Sequence, residues 1–401
     1  MVRPMWHDDP MHHVTDGERR ARMAVRHALA PGARADSPEA ATRAVVALHA
    51  TEPATVHLSC WARVSSLTVA DVDGALHRER LLVKQLAMRR TLFVFPREML
   101  PGVWPSASAR VAAAERARMA KDLVRAGLTD DGGAWLDRAR AEILAVLADA
   151  PEGLAAIDVR RAVPMLDVKV EGSPGELWSA PRVLTLLGAA GDIVRGADAG
   201  RFPVSRPRWT LASHWLDGVP DLWSPGEGYR ELVRRWLLRF GPGTEDDIVW
   251  WLGATKAIVR GALADLDAVA VSLDNGATGW LLPDDVGPVE DPGGWVALLP
   301  VLDPTVMGWR DRDFYLGPHR EQLFERRGNA GTTAWADGRT VGTWVQDGAG
   351  AVRVHLLEPV PAPTRRALDE EAERLTAWLG GVRVGTGYVS PAMRAALDAL
   401  G

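Results

Sequence analysis

Cysteine is almost absent from this chain: Cys60 is the only one in 401 residues. A single thiol excludes an internal disulfide, a redox pair and a cysteine-built zinc site. Such usage fits a reducing cytoplasm. Long apolar runs are lacking too. No stretch of about 18 apolar residues occurs, so no membrane-spanning helix is expected. The opening MVRPMWHDDPMHHVTDGERR has no apolar stretch behind its first basic residue, which argues against a signal peptide. Lysine is scarce, with only Lys84, Lys121, Lys169 and Lys256, so nearly all the positive charge is arginine. Together with abundant Ala, Gly and Val, this matches GC-rich coding and says little about function.

What is present is ample apolar material. Hydrophobic residues make up 47% of the chain, enough for a sizeable core. At roughly 100–200 residues per domain the length accommodates two to four units. The net charge of −5 does not advertise a nucleic-acid binder, but it is unevenly spread. Residues 1–128 carry +6 and the remainder −11, a split that arises either from one basic face or from chance.

The polar, His-rich residues 1–16, including Met11-His12-His13, read as a loosely ordered tail. A helix is predicted over 17–30, ending near Pro31-Gly32. Ser37 as N-cap, Pro38 at the first helical position and Glu39 beside the dipole announce the next helix. It carries Val45, Val46 and Leu48 and is expected to finish near Ala50, with Pro53 opening a further helix, ATVHLSCWARV. His49, Thr51 and Glu52 would then sit at a helix-to-helix corner. Thr68 and Asp71 form a capping-box start. An arginine-bearing segment follows, and then Thr91–Phe95, a β-rich run stopped by Pro96.

Helices leading into a short strand pair is the order of a winged helix-turn-helix, and the order recurs. A helix over 134–150, GLAAIDVRRAV and SAPRVLTLLGAAGDIVRG lead into the Arg-rich hairpin VRGADAGRFPVSRPRWTL. YRELVRRWLLRFGPGTEDDIVWWLG and ATKAIVRGALADL lead into AVAVSLDNGATGWLLPDD, a hairpin turning at Asp274-Asn275-Gly276. Three such copies at spacings of roughly 80–100 residues are stronger than any one. After 287 strands separated by Gly and Asp turns predict a small antiparallel sheet, a helix over 362–379, a last strand VRVGTG and the closing PAMRAALDAL. The expected class is therefore α+β. Its parts are a tail (1–16), three tandem winged-helix units (17–125, 126–215, 216–286) and a C-terminal β-rich region (287–401).

Several stretches together resemble the winged-helix DNA glycosylases that excise alkylated or crosslinked purines, a family that includes self-resistance enzymes of genotoxin producers. They are ALHATEPATVHLSCWARV with RLLVKQLAMRRTLFVFP, then ALLPVLDPTVMGWRDRD, Phe324–Gly328 and DGRTVGTW. The similarity runs over most of residues 17–380. It implies a C-shaped clamp on double-stranded DNA; no metal-ligand constellation accompanies His49, Thr51 and Glu52 in the sequence, so hydrolysis is expected to use no metal or other cofactor. The family's glutamine-x-glutamine or glutamine-x-aspartate signature falls here on His49-Ala50-Thr51, where both polar anchors are replaced.

Hydrolysis of an N7-alkylated purine starts from a cationic leaving group. The protein must then position a water and stabilise oxocarbenium-like charge. His49 can take a proton near neutral pH, Thr51 can orient the water, and Glu52 can offset positive charge. The alternatives are a packing histidine at a helix end, a turn threonine and a solvated or Arg-paired carboxylate; His57, inside a helix, is read as packing or exposed. Candidate DNA contacts are Arg89 and Arg90 before the first strand, then Arg201, Arg206 and Arg208 along the second hairpin. Arg310 and Arg312 offer, by resemblance, a minor-lobe contact. There the alternation of Asp303, Arg310, Asp311, Arg312 and Asp313 favours domain-locking salt bridges instead. Rival functions are a non-catalytic DNA-binding regulator or damage sensor, and a protein that sequesters a genotoxin. A monomer is expected, because tandem units in one chain supply pseudo-repeats without a partner.

Overall fold

Local chemistry sets most element boundaries in the computed structural model, which describes residues 11–172 and 175–400. The first segment contains β1 (His13–Val14), α1 (Asp16–Arg26), α2 (Pro38–Ala44), β2 (Leu48–His49), α3 (Pro53–Trp61) and α4 (Val69–Asp73). It ends in the hairpin β3 (Leu82–Ala87) and β4 (Thr91–Pro96). Ser37 caps α2 by accepting the Ala40 N–H at 3.2 Å. Thr68 and Asp71 make the expected reciprocal box at the start of α4.

Two helices, α5 (Leu100–Val103) and α6 (Ala109–Arg125), lead into a second segment. This comprises α7 (Gly132–Ala148), α8 (Ala156–Ala162), the strands β5 (Lys169–Gly172) and β6 (Gly175–Trp178), α9 (Ser179–Ala190) and the hairpin β7 (Ile193–Asp198) and β8 (Pro207–Leu211). After α10 (Ala212–Trp215), the third segment follows with α11 (Pro225–Phe240), α12 (Glu245–Leu252) and α13 (Lys256–Asp265). Its hairpin is β9 (Val269–Leu273) and β10 (Thr278–Leu281), with Gly276 at φ +77° in the turn. The C-terminal region builds an antiparallel sheet in the order β11 (Val296–Leu299), β12 (Thr333–Ala336), β13 (Arg339–Gln346), β14 (Val352–Leu356). Helices Ala362–Leu379 and Pro391–Asp398 close the chain. The architecture is α+β with small sheets, and among the described residues no helix is long and apolar enough to cross a membrane.

The core is shared unequally. Phe93 and Phe95 of the first segment, Trp236 and Phe240 of the third and Trp335 of the C-terminal sheet join one buried cluster. The second segment keeps its own, around Leu136, Ile143, Val159, Leu184 and Leu187, and draws Leu123 of α6 into it. Each such fully buried aliphatic side chain contributes about 1.5–3 kcal/mol, so the first segment, the third and the sheet are bound together by non-local burial.

Several expectations need correction. Residues 11–16 are not a loose tail: β1 pairs in parallel with β9, and the His13 ring lies 2.9 Å from both Ser272 Oγ and Asp274 Oδ1. Residues 1–10 of that tail lie outside the described residues. The helix expected to reach Ala50 stops at Ala44, because Val46 takes a left-handed φ of +66° and the chain enters β2. There Leu48 pairs with Val94 and His49 with Phe93, so sheet pairing overrides the helical continuation. The helix predicted over 17–30 ends at Arg26. The arginine-bearing segment before Thr91 is mostly the strand β3, paired along its length with β4. VRVGTG is not a strand. Side chains hold its backbone instead: Gln346 donates to the Val382 carbonyl at 2.9 Å and accepts the Val384 N–H at 2.9 Å, and Glu52 accepts the Gly387 N–H at 3.0 Å.

Candidate active site

The segment from His49 to Pro53 joins a strand to a helix. His49 is in β2, its backbone registered against Phe93 and its ring 4.6 Å from the Phe93 ring. Ala50 adds one more bond to the Leu92 carbonyl. The chain then turns at the exposed Thr51, and Glu52 occupies the N-cap of α3 without capping it. Instead the Glu52 carboxylate turns outward, where Oε1 accepts the Gly387 N–H at 3.0 Å and lies 3.4 Å from the Thr386 hydroxyl. Thr51 and Glu52 are thus presented together. His49 is only 4% exposed.

Burial decides the chemistry of His49. Its pKa is driven well below the ordinary 6.5, first by desolvation and then by the Arg89 charge. The ring is therefore neutral near pH 7. Among the described residues its Nδ1 is enclosed with no hydrogen-bond partner.

Arg89 has φ +53°, and its guanidinium lies 3.9 Å from the centroid of the Trp250 ring. Gly253, just past α12, permits this approach: it has φ +58°, and a Cβ there would lie 3.1 Å from the Arg89 backbone nitrogen. A second guanidinium, of the 3%-exposed Arg312, sits 4.8 Å from the same Trp250 centroid and 4.7 Å from that of Phe324. Nε of Arg89, and Nε and Nη2 of Arg312, are buried without partners among the described residues. Burial lowers the Arg89 pKa to about 9, with repulsion from Arg312 as the next cause. Two desolvated like charges stacked on one indole form a strongly anion-seeking corner.

The other candidate arginines separate by role. Arg90 is exposed and paired with Glu115 at 2.8 Å. Arg201 and Arg206 are exposed on the loop of the second hairpin. Arg208 is occupied structurally, donating to the Glu152 carbonyl and twice to that of Gly153. The exposed Arg310 faces Asp246 at 3.3 Å, while the backbone N–H groups of Arg310 and Asp311 both donate to the buried Asp247. Arg312, expected as a surface contact, is buried; its ring-stacked position two residues beyond Arg310 follows from the turn into Asp313–Leu316. Asp303 pairs not within the alternating run but with the buried Arg63, at 2.7 Å.

One constellation was not anticipated. His57, buried against Phe202, lies with Nε2 3.0 Å from Asp73, beside a cavity of about 240 Å³. Across it, Lys84 is 3.6 Å from Asp198, and Ser205 donates to the same carboxylate. Burial lowers the Lys84 pKa. The available signal was Lys84 itself, a rare lysine in an arginine-rich chain. Among the described residues no three His, Cys, Asp or Glu side chains gather as metal ligands.

Comparison with known proteins adds two findings. Residues 42–378 match the family described as DNA glycosylase AlkZ-like. Among solved structures, the DNA glycosylase AlkZ of Streptomyces sahachiroi aligns with a TM-score of 0.72 and 17% identity, covering 91% of this chain and 97% of that one. At that identity the likeness is one of fold. No curated protein matches the chain.

Proposed function

Since the chain belongs to the AlkZ-like DNA glycosylase family, we propose that it hydrolyses the N-glycosidic bond of alkylated or crosslinked purines in double-stranded DNA, using the His49–Glu52 corner. In this reading the three helix-and-hairpin segments are winged-helix units of a monomeric, C-shaped cytoplasmic clamp.

The observation that carries the proposal is a neutral His49 under the Arg89 charge, three positions before a carboxylate fixed by Gly387. An N7-alkylated purine is already cationic. As the C1′–N9 bond breaks, its electron pair passes to N9 and cancels the charge, so no proton need be given to the base. The sugar becomes oxocarbenium-like, and Glu52, held by Gly387 and Thr386, opposes that charge. Thr51 orients a water whose oxygen bonds to C1′. Its proton passes to His49, whose low pKa keeps the ring unprotonated near pH 7 and lets it release the proton again readily. The products are a neutral free base and an abasic site. Arg89, the less buried of the two guanidiniums, meets a flanking phosphate, whose charge cancels its own.

The test is base release from duplex DNA containing N7-methylguanine. Positioned general-base help is worth about 10²–10⁴-fold, so His49→Ala should slow release at least about tenfold while salt-sensitive DNA binding persists. Unaltered release by that variant removes His49 from the mechanism. DNA binding by the wild type with no release of this base or of a bulkier adduct supports a non-catalytic DNA binder instead.

A further inference from the structure

The loop that joins β7 to β8 is fastened to itself through one carboxylate. Asp198 Oδ1 accepts the Gly200 N–H at 2.8 Å and the Arg206 N–H at 2.5 Å, and Oδ2 accepts the Ser205 hydroxyl. The Ala199 N–H donates in turn to the Arg206 carbonyl at 3.0 Å. Lys84 of β3 reaches this clasp from the first segment, its ammonium 3.6 Å from Asp198 Oδ2 and 3.4 Å from Ser205 Oγ. The Lys84 side chain is only 10% exposed and that of Asp198 only 9%. A pair so far removed from water is screened much less than a surface pair. On the apolar side Phe202 packs with two rings, 4.9 Å from His57 in α3 and 5.6 Å from Trp378 in the helix Ala362–Leu379. His77 approaches β7 as well, with Nδ1 3.2 Å from the Gly196 carbonyl. Arg201 and Arg206 are left exposed, and among the described residues neither meets a carboxylate.

The strand that carries Lys84 belongs to the sheet of the candidate site. Lys84 is registered against Val94, and Val94 against Leu48, the neighbour of His49. Adjacent strands lie about 4.8 Å apart, so the Lys84 and Leu48 backbones are about 10 Å apart across the sheet. Side chains in one such row share a face. Lys84 therefore projects from the face opposite His49, whose own row is Phe93 and Gln85. One three-stranded sheet thus holds the candidate general base on one face and the root of an arginine-bearing loop on the other. We propose that Lys84 is a positioning residue: by locking the Asp198–Arg206 loop onto this sheet, it holds Arg201 and Arg206 as an arm for duplex phosphates at a fixed distance from the His49–Glu52 corner. An arginine on a free loop must give up backbone and rotamer freedom when it meets a phosphate, whereas a fastened loop has already lost the backbone part. The inference rests on the DNA glycosylase reading for its partner and its reaction.

The test measures binding of an undamaged duplex by fluorescence anisotropy across a range of salt, and separately the kinetics of 7-methylguanine release. Each phosphate contact contributes about 0.9 to the slope of log K against log salt, so replacing both Arg201 and Arg206 by Ala should lower that slope by about 1–2. Lys84→Met should lower it comparably, although Lys84 is itself buried, and adding it to the double arginine variant should change nothing further. Lys84→Arg should restore most of the slope, since the cavity of about 240 Å³ that Lys84 lines leaves room for the larger head group. In base release, Lys84→Met should raise KM several-fold and leave kcat within about twofold, the signature of binding lost equally from ground and transition states. A slope unmoved by the two arginine substitutions overturns the arm. A Lys84→Met slope equal to the wild type's, a loss that adds to that of the arginines, or a fall in kcat at unchanged KM overturns the positioning role. Should Lys84→Met fail to fold by circular dichroism, Lys84→Met with Asp198→Asn removes both charges of the pair together, and its slope decides in the same way. Absence of base release by the wild type overturns the glycosylase reading, and the salt slopes then judge the arm on their own.

Discussion

Asp303→Ala should be among the most damaging single substitutions outside the candidate site. Both members of the Arg63–Asp303 pair are 0% exposed. The carboxylate accepts both guanidinium nitrogens, at 2.7 and 2.9 Å, together with the Ser59 hydroxyl at 2.7 Å and the Thr305 N–H at 2.9 Å. Removing it leaves Arg63 charged and buried, for which about 3–5 kcal/mol is the usual penalty. It also uncaps the turn Pro304–Met307, adding about 1 kcal/mol. The total is about 4–6 kcal/mol. Urea unfolding followed by tryptophan fluorescence and far-UV circular dichroism measures it. The decisive comparison is Asp303→Leu alone against Asp303→Leu with Arg63→Met. An apolar pair of similar volume can replace a buried ion pair at little cost, so the double variant should recover at least about 2 kcal/mol over the single one. A single substitution costing under about 1 kcal/mol, or a double variant whose losses simply add, refutes the reasoning. Because Ser59 and Arg63 tie α3 to the 303–305 turn, base release should fall with the single variant and return with the double.

Two further outcomes are expected. His27 and His49 are both wholly buried, with pKa values well below the ordinary 6.5, chiefly through desolvation. Below pH 6.5 the unfolded chain therefore takes up protons that the folded one refuses. Stability should fall as the pH drops, by up to about 1.4 kcal/mol per unit for each histidine, and should be insensitive to these groups above pH 7. Urea unfolding between pH 7.5 and 5.5 checks this, and His27→Gln should remove about half of these groups' joint slope. At the crossing of α5 and α11, a Cβ on Gly228 would lie 2.3 Å from the Gly102 carbonyl oxygen and 2.9 Å from Ser106 Oγ. Gly228→Ala should thus cost about 1–3 kcal/mol, and a melting temperature equal to the wild type's would show that the helices can part freely.

Much of the fold was legible because its signals are local. Ser37-Pro38, the Thr68–Asp71 box and the Asp274-Asn275-Gly276 turn each act within about four residues, and the elements begin and turn where they indicate. The site was less legible. His49 looked like a helix-end residue because Ala40–Val45 reads as a helix; its strand exists only through pairing with Val94 and Phe93. Arg310 and Arg312 are equivalent in sequence, two residues apart in an alternating run. Yet one is exposed beside Asp246 and the other is buried against Trp250 and Phe324.

The sequence by itself determined the order of helices and hairpins, the caps that start them and the family resemblance, since each rests on neighbouring residues or on motif spacing. Tertiary structure alone decided that His49 is neutral, that Arg89 and Arg312 share an indole, and that Glu52 borders a largely apolar cavity. Those properties depend on desolvation and on contacts between residues far apart in the chain, such as Arg89 on Trp250 and the Gly387 N–H on Glu52. No local pattern encodes how much water a residue keeps once distant elements have packed over it.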